Sequence, residues 1–216
     1  MPERRVRPYR SEDRQAVFRI AADTAFFGQP VEAFLDDRNL FCDFFYAYYT
    51  DLEPEHGWVA CAGEEVVGFL MGSIDTRARP RRWLGKIFPR VLSQLILGGY
   101  HLGRSSLRYG FRLVQGELRG EHLEVDIDLY PAHLHLNVVA RWRGQGLGRQ
   151  LLDAHLGQMR ALCVPGVHLS TTNANTAACL LYERSGFRLL SACPTRRWEG
   201  MIPSPVEERI YGMKLV

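Results

Sequence analysis

The chain has 216 residues, of which 46% are hydrophobic and 24% are charged, and its formal net charge is +3. This composition suits one globular domain with a substantial core and excludes a predominantly disordered chain. No uncharged apolar run reaches the roughly 18 residues that a membrane-spanning helix needs, and residues 1–13 lack the apolar segment of a secretory signal.

The first part of the chain predicts a strand, two helices and a hairpin. Residues 6–9 favour a strand, and apolar residues at helical spacing predict a helix over roughly 12–26. Pro30 favours the start of a second helix, which is rich in aromatic residues. Two β-rich runs, 58–61 and 66–74, are separated by a short turn and predict a β-hairpin.

A basic segment follows the hairpin. Residues 76–119 contain ten Lys or Arg and one acidic residue, so their net charge is +9 whereas the rest of the chain has −6. The spacing predicts a helix from Pro89, with Val91, Leu92, Leu95 and Ile96 on one face, and a shorter helix over 104–114. Neither helix has an obvious role in a minimal domain. We therefore interpret 76–120 as a basic helical insertion within a single domain spanning 1–216.

Three interpretations of this insertion stay open. It forms an arginine-rich surface in water, it is a lid or dimer contact near a binding cleft, or it binds nucleic acid or an anionic membrane. The apolar face of its first helix must be buried on the domain, on a partner or on lipid.

The second part of the chain alternates strands and helices. The predicted elements are a strand over 125–129, a strand over 133–140, a glycine-rich turn over 141–148, a helix over 149–162, a strand over 167–172, a helix over 175–185 closed by Gly186, and a final β pair over 187–191 and 208–216. This order predicts an α+β (mixed α/β) fold with a βαβ crossover near its centre. Five scattered cysteines without a CxxC pair predict a reduced, cytoplasmic protein without a structural zinc site.

The glycine-rich turn carries the clearest chemical signal. It reads Arg143, Gly144, Gln145, Gly146, Leu147, Gly148, and a predicted helix follows directly. Glycines let backbone N–H groups converge, and the positive end of the helix points at the same place, which suits a pyrophosphate. The Gly-Lys-Ser/Thr of a Walker loop and the GxGxxG of a dinucleotide fingerprint are both missing. A tight turn without any ligand is the alternative.

A second motif, NxxAxxxYxxxGF, runs from Asn175 to Phe187. Together with the pattern RxxGxG from Arg143 to Gly148, it resembles the acyl-CoA-binding core of the GNAT (GCN5-related) N-acetyltransferase superfamily over about residues 130–190. The resemblance implies a central, mostly antiparallel sheet with a splayed parallel strand pair, flanked by helices. The segment from Tyr130 through the glycine-rich turn also resembles the acetyltransferase-like domains associated with some O-GlcNAc hydrolases.

The resemblance implies acetyl-CoA as the cofactor. The glycine-rich turn would bind the pyrophosphate, the backbone of the central strand would pair with pantetheine, and Asn175 would contact the CoA arm while capping its helix. The predicted cofactor-binding residues are Asn137, Val138, Val139, Arg143, Gly144, Gln145, Gly146, Leu147, Gly148, Arg149 and Asn175.

Tyr182 matches the family's general acid, whose hydroxyl can protonate or hydrogen-bond a departing thiolate. Core packing is the alternative role. Strand alternation places His133, His135 and Asn137 on one face, and imidazole titrates in the range of a base, so His135 or His133 is the candidate. Two polar residues on a half-exposed face are the alternative. The resemblance to the domains associated with O-GlcNAc hydrolases implies an acid at the position of Asn137, and this chain lacks it. A third metal ligand is not evident, so no metal is expected.

Tyr46, Tyr49 and Asp126 are candidate acceptor-binding residues, with core packing and a solvated edge as the alternatives. The predicted function is direct transfer of an acetyl group from acetyl-CoA to a small-molecule or peptide amine in a ternary complex. A non-catalytic acyl-CoA binder is one alternative, and a nucleic-acid or membrane-surface adaptor is another. The favoured interpretation includes neither nucleic acid nor a membrane as partner, and it leaves a homodimer open.

Overall fold

The computed structural model describes residues 2–121, 123–203 and 205–216. Its seven strands are β1 (Arg4–Pro8), β2 (Trp58–Ala62), β3 (Glu65–Ser73), β4 (Ala132–Val138), β5 (Gly166–Thr172), β6 (Arg188–Pro194) and β7 (Glu207–Lys214). The α-helices of this described part are α1 (Arg14–Asp23), α2 (Arg38–Phe45), α3 (Ala47–Leu52), α4 (Arg79–Lys86), α5 (Phe88–Ile96), α6 (Arg104–Leu118), α7 (Leu147–Ala161) and α8 (Thr176–Arg184).

The strands form one sheet in the order β1-β2-β3-β4-β5-β7-β6. Neighbouring strands are antiparallel except for β4 and β5, which are parallel. The parallel pairing lasts for two positions, Ala132 opposite Val167 and His133 opposite His168. The predicted mixed α/β fold, with its splayed parallel pair, is therefore confirmed.

Helices cover both faces of the sheet and create two cores. On one face, α1, α2 and α3 enclose a core that includes Tyr48 and Tyr49. On the other face, α7 and α8 contribute residues such as Leu151, Leu152 and Tyr182. Strand β4 therefore lies between the two layers, and its alternating side chains enter both of them.

The aromatic-rich region differs from the predicted single helix. Only a 3-10 turn (Val31–Ala33) follows Pro30. Helix α2 begins at Arg38 because Asp37 caps it, its carboxylate accepting the Leu40 N–H at 2.8 Å. The chain breaks again at Tyr46, which ends α2 and precedes α3.

The predicted strand over 125–129 is wrong. The Asp126 carboxylate accepts the N–H groups of Asp128 at 3.0 Å and Leu129 at 3.2 Å, so this segment closes into a turn. Aspartate side chains that bond the backbone in this way compete with strand formation.

Three helices, α4 to α6, occupy the segment predicted as an insertion. Helix α4 was missed because its arginine-rich sequence shows little apolar periodicity, and Trp83 anchors it by donating to the Phe44 carbonyl at 3.1 Å. On α5, Val91 is buried, whereas Leu92 and Leu95 are each 39% exposed. Within the described residues, no helix is both long and apolar enough to cross a bilayer.

Candidate active site

The divergence of β4 from β5 opens a gap in the middle of the sheet. The Val139 N–H donates to the Val67 carbonyl at 2.9 Å, which fixes the backbone directions along β4. In an antiparallel ladder these directions alternate, so Asn137 and Val139 turn their backbone groups toward β3, whereas Leu136 and Val138 turn theirs toward the gap. The gap is thus lined by peptide groups from which β5 has moved away.

The glycine-rich turn lies at the wide end of this gap. Gly144 and Gly146 adopt left-handed conformations with φ of +71° and +82°, which glycine tolerates best. A Cβ built at Gly144 would meet no atom within 4 Å, so the backbone there faces open space. Gly146 is the N-cap of α7, and no side chain caps that helix. The first N–H groups of α7 are therefore available to an anion.

The side chains around the turn have structural contacts of their own. The Arg143 Nε donates to the Val138 carbonyl at 2.9 Å, and its guanidinium lies against Gly28. Arg149 pairs with Asp153 at 2.9 Å and donates to the Arg184 carbonyl at 3.2 Å. Both arginines thus add positive charge near the turn while bracing the elements around it.

Gln145 and Leu147 also have structural roles. The Gln145 side chain donates to the Arg141 carbonyl at 3.0 Å and accepts from Arg4 at 3.1 Å. Leu147 is buried and fixes the start of α7 in the core. Their side chains are therefore turned away from an anion held by the backbone of the turn.

Tyr182 lies on α8, in the core between this helix and the sheet. It is buried beside Phe187 and Tyr211. Burial raises the pKa of its hydroxyl well above the usual range. Tyr46 is buried in the core on the other face of the sheet, with its ring centre 5.5 Å from that of His135. Tyr182 and Tyr46 thus belong to opposite layers of the fold.

Two histidines of β4 and a tyrosine of α3 form a polar cluster near the gap. The Tyr49 hydroxyl lies 3.2 Å from His133 Nδ1 and 3.1 Å from His135 Nε2. Because one hydroxyl can donate only one hydrogen, one imidazole accepts from Tyr49 and the other donates to it. The predicted placement of His133 and His135 on one face thus brings both onto a single hydroxyl.

Helix α4 covers this cluster with a cation. The Arg79 guanidinium carbon lies 5.3 Å from the centre of the Tyr49 ring. Burial, assisted by the charge of Arg79, lowers the pKa of His135 to about 3, and burial likewise depresses the pKa of His133. Both imidazoles are therefore neutral at pH 7 and have a lone pair that can accept a proton.

Comparisons with known proteins agree with this geometry. A family model described as an acetyltransferase (GNAT) domain matches residues 110–189. The crystal structure of SsHAT is 31% identical, covers 100% of both chains and has a TM-score of 0.75. The chain belongs to the GNAT acetyltransferases.

More distant GNAT structures share the fold. An N-acetyltransferase from Staphylococcus aureus Mu50 is 14% identical, covers 99% of each chain and has a TM-score of 0.60. The protein yncA from Salmonella typhimurium, solved with its cofactor acetyl-CoA, is 13% identical over 99% of this chain and 94% of its own, with a TM-score of 0.56. GNAT acetyltransferases use acetyl-CoA, so this is the cofactor that the chain's site must accommodate.

One curated relative matches over a short region. Mycothiol acetyltransferase of Propionibacterium freudenreichii subsp. shermanii is 41% identical over 56 residues, which are 26% of this chain and 18% of that protein. The match therefore spans less than a fifth of that relative's length. The resemblance to domains associated with O-GlcNAc hydrolases stays a prediction.

The GNAT site fits acetyl-CoA, with two changes to the predicted backbone contacts. The Val139 N–H is bound by Val67, and its carbonyl accepts the Trp142 N–H at 2.9 Å, so Val139 is already paired. Asn137 turns its peptide groups to β3, and its side chain donates to the Thr24 hydroxyl at 2.7 Å. Leu136, which is not among the predicted residues, turns its peptide groups toward the gap together with the Val138 N–H, whereas the Val138 carbonyl accepts from Arg143.

Two other predicted residues lie differently from expectation. Asn175 occupies the N-cap position of α8, but its side chain makes no capping bond and is left for other contacts. The described hydrogen bonds of the Asp126 carboxylate are within its own turn, and Asp126 is exposed. Arg79 is the main residue that sequence reasoning missed, because only the folding of α4 over Tyr49 brings it to the site.

Proposed function

We propose that this GNAT protein transfers an acetyl group directly from acetyl-CoA to an amine in a ternary complex. The turn from Gly144 to Gly148 would hold the pyrophosphate, and the peptide groups of Leu136 together with the Val138 N–H would hold pantetheine. The observation that carries the proposal is the Tyr49–histidine cluster on β4, beside the place where β4 and β5 stop pairing. The cluster would supply the base, and Tyr182, on α8 in the opposite layer, would supply the acid.

Acetyl-CoA supplies a thioester-activated acetyl group when it is bound. The raised pKa of Tyr182 keeps its hydroxyl protonated, so it can donate a hydrogen bond to the sulfur on which negative charge develops. Because a free thiol has a pKa of about 8.5, below that of the buried phenol, stabilisation by hydrogen bonding is favoured over complete proton transfer. Tyr182 would therefore lower the barrier to thiolate departure.

The Tyr49–histidine cluster would receive the proton of the attacking amine. Neutral His135 can accept it directly, or Tyr49 can pass its own proton to one imidazole while taking that of the amine. The lowered pKa of His135 makes it a weak base. The site therefore requires an acceptor amine that arrives without its extra proton.

The charge around the cluster points to a class of acceptor. Arg79 and neighbouring histidines are the charged or titratable groups that act on both His133 and His135. The carboxylate whose charge reaches Tyr49 is Glu53, which already pairs with Arg82 at 3.0 Å. Such a site disfavours ammonium groups, so the proposed acceptor is a neutral or anionic amine rather than a polyamine or aminoglycoside.

The first test is thermal unfolding of the protein with acetyl-CoA, with AMP as a control. A native-state ligand at about 100 times Kd adds roughly 2.7 kcal/mol, and each kcal/mol shifts Tm by about 2–4 °C for a domain of this size. A Tm rise with acetyl-CoA alone is expected. Absence of a shift at saturating ligand would contradict the assignment of the turn.

The second test follows thiol release with amines of different charge. Turnover with neutral or anionic amines, and little with polycations, is expected. Tyr49→Phe should lower kcat, whereas Tyr100→Phe, which removes a hydroxyl bonded to Asp43 away from the site, should not. Binding of acetyl-CoA without turnover of any amine would favour the non-catalytic acyl-CoA binder.

A further inference from the structure

Helix α6 has an apolar stripe that nothing in the described chain covers. Leu107, Phe111, Val114 and Leu118 are between 59% and 83% exposed. At about 100° per residue, these four side chains fall within an arc of about 60° along the whole helix. Isolated exposed apolar residues are ordinary, but a continuous stripe marks a surface for interaction.

The opposite side of α6 is firmly attached to the domain. Tyr109 packs on Phe34 with ring centres 4.7 Å apart and on Trp198 at 5.7 Å. Arg112 donates to the carbonyl groups of Arg197 at 3.1 Å and Glu199 at 2.8 Å. The domain therefore holds the helix in an orientation that directs the apolar stripe outward.

Basic side chains accompany the stripe. Arg104 and Arg108 follow one of its flanks and are exposed, and the exposed Arg119, which lies 3.5 Å from Glu121, follows directly after the helix. Further exposed apolar side chains occur on the two preceding helices, among them Leu84, Phe88, Leu92, Leu95 and Ile96. Residues 76–119 as a whole have a net charge of +9. The segment thus combines hydrophobic surface with excess positive charge.

We propose that α6 lies in the surface of an anionic phospholipid bilayer, with its apolar stripe inserted among the acyl chains and its arginines at the headgroups. An amphipathic helix with basic flanks is the usual form of such an anchor. A 15-residue helix is about 22 Å long, so α6 lies in the plane of the interface and does not cross the bilayer.

Charge and apolar surface together select this partner over the others. A symmetric contact between two copies of the chain would cover the stripe but would bring together two segments that stay positively charged after Arg77, Arg82, Arg90 and Arg119 have paired with acids outside them. Nucleic acid would satisfy the arginines but would leave Phe111 and its apolar neighbours in water. An anionic bilayer satisfies both features at once.

The test is co-sedimentation of the full chain with vesicles of phosphatidylcholine, alone or mixed with phosphatidylglycerol. Binding to the mixed vesicles that weakens with salt is expected. The apolar variant is Leu107→Gln/Phe111→Gln/Leu118→Gln, the charge variant is Arg104→Gln/Arg108→Gln/Arg119→Gln, and the control variant is Leu162→Gln/Leu180→Gln/Leu189→Gln, whose side chains are also exposed. Circular dichroism and Tm check that each variant folds.

The apolar and charge variants should each lose about ten-fold or more of the vesicle affinity, because both insertion and headgroup attraction are needed. The control variant should bind as the unaltered chain does. Failure of the unaltered chain to bind mixed vesicles would overturn the proposal. So would a dimer seen by light scattering that the apolar variant abolishes, or salt-sensitive DNA binding without vesicle binding.

Discussion

Replacing His155 by leucine tests whether a buried imidazole controls stability in acid. His155 lies on α7, is 0% exposed, and packs directly on Gly72 of β3. Neither of its ring nitrogens has a hydrogen bond of normal geometry within the described chain. Burial lowers the pKa of His155 to about 3. The folded protein therefore keeps this side chain neutral at pH values where an exposed histidine is charged.

The sign of the effect follows from proton binding. Unfolded His155 titrates near pH 6.5, so below that pH the unfolded state binds a proton that the folded state does not. The free energy of unfolding then falls by about 1.4 kcal/mol for each pH unit. Between pH 7 and pH 5 the free energy of unfolding therefore falls by about 2 kcal/mol. This value holds for any pKa of His155 in the folded state below about 4. For a domain of this size, that loss lowers Tm by about 4–8 °C.

The assay compares Tm at pH 7 and pH 5 for the unaltered chain, His155→Leu and His155→Met, the second variant serving if the branched side chain does not fit against Gly72. Both should lose less Tm on acidification, by about 4–8 °C. The control is His101→Leu at an exposed position. Its Tm should fall between pH 7 and pH 5 by as much as that of the unaltered chain. An equal Tm loss in all four proteins would refute the reasoning. A variant that stays folded at lower pH would also allow activity to be measured further into the acid range, where His135 is expected to gain its proton.

Three further changes address the proposed reaction. Tyr182→Phe should reduce kcat by about 100-fold while leaving acetyl-CoA affinity within a few-fold, and an unchanged kcat would exclude Tyr182 as the acid. Gly146→Val should abolish the Tm shift with acetyl-CoA, because valine is strained at φ of +82°, and a retained shift in a folded variant would contradict the role of the turn. Arg79→Gln should raise the pKa of His135 and so move the acid limb of kcat/KM to higher pH, whereas Arg77→Gln, at an exposed pair with Asp128, should not.

Local patterns in the sequence were sufficient to predict the parts of the site that depend on residues close together in the chain. The glycine-rich turn and the motif around Tyr182 each occupy one stretch of chain, and strand alternation alone placed His133 and His135 together. The GNAT fold could be predicted for the same reason, since its two motifs lie in one βαβ unit. The predicted strand over 125–129 failed where a single side chain, Asp126, redirected the backbone.

The remaining features depend on contacts between distant parts of the chain. Arg143 matches the family motif, yet the position of Gly28 and the Val138 carbonyl decide where its guanidinium lies. Asn137 was expected to meet the cofactor, but the end of α1 supplies Thr24 as its partner instead. Periodicity in the sequence predicts which face of a helix or strand a residue occupies. It does not predict which residue of the opposite layer that side chain contacts.

The same contacts explain how a site without a free carboxylate can be suited to acyl transfer. On β4, Asn137 is bound to Thr24, and the polar side chains that precede it on the strand are two neutral imidazoles sharing the Tyr49 hydroxyl. A carboxylate base would attract an ammonium acceptor, whereas the positive charge of Arg79 beside these neutral imidazoles would repel it. Under the proposed function the acceptor amine would enter without its extra proton, so a weak base would be sufficient. Burial and Arg79 both lower the pKa of His135, so Arg79, supplied by the basic segment, would link the charge of the acceptor to the strength of the base.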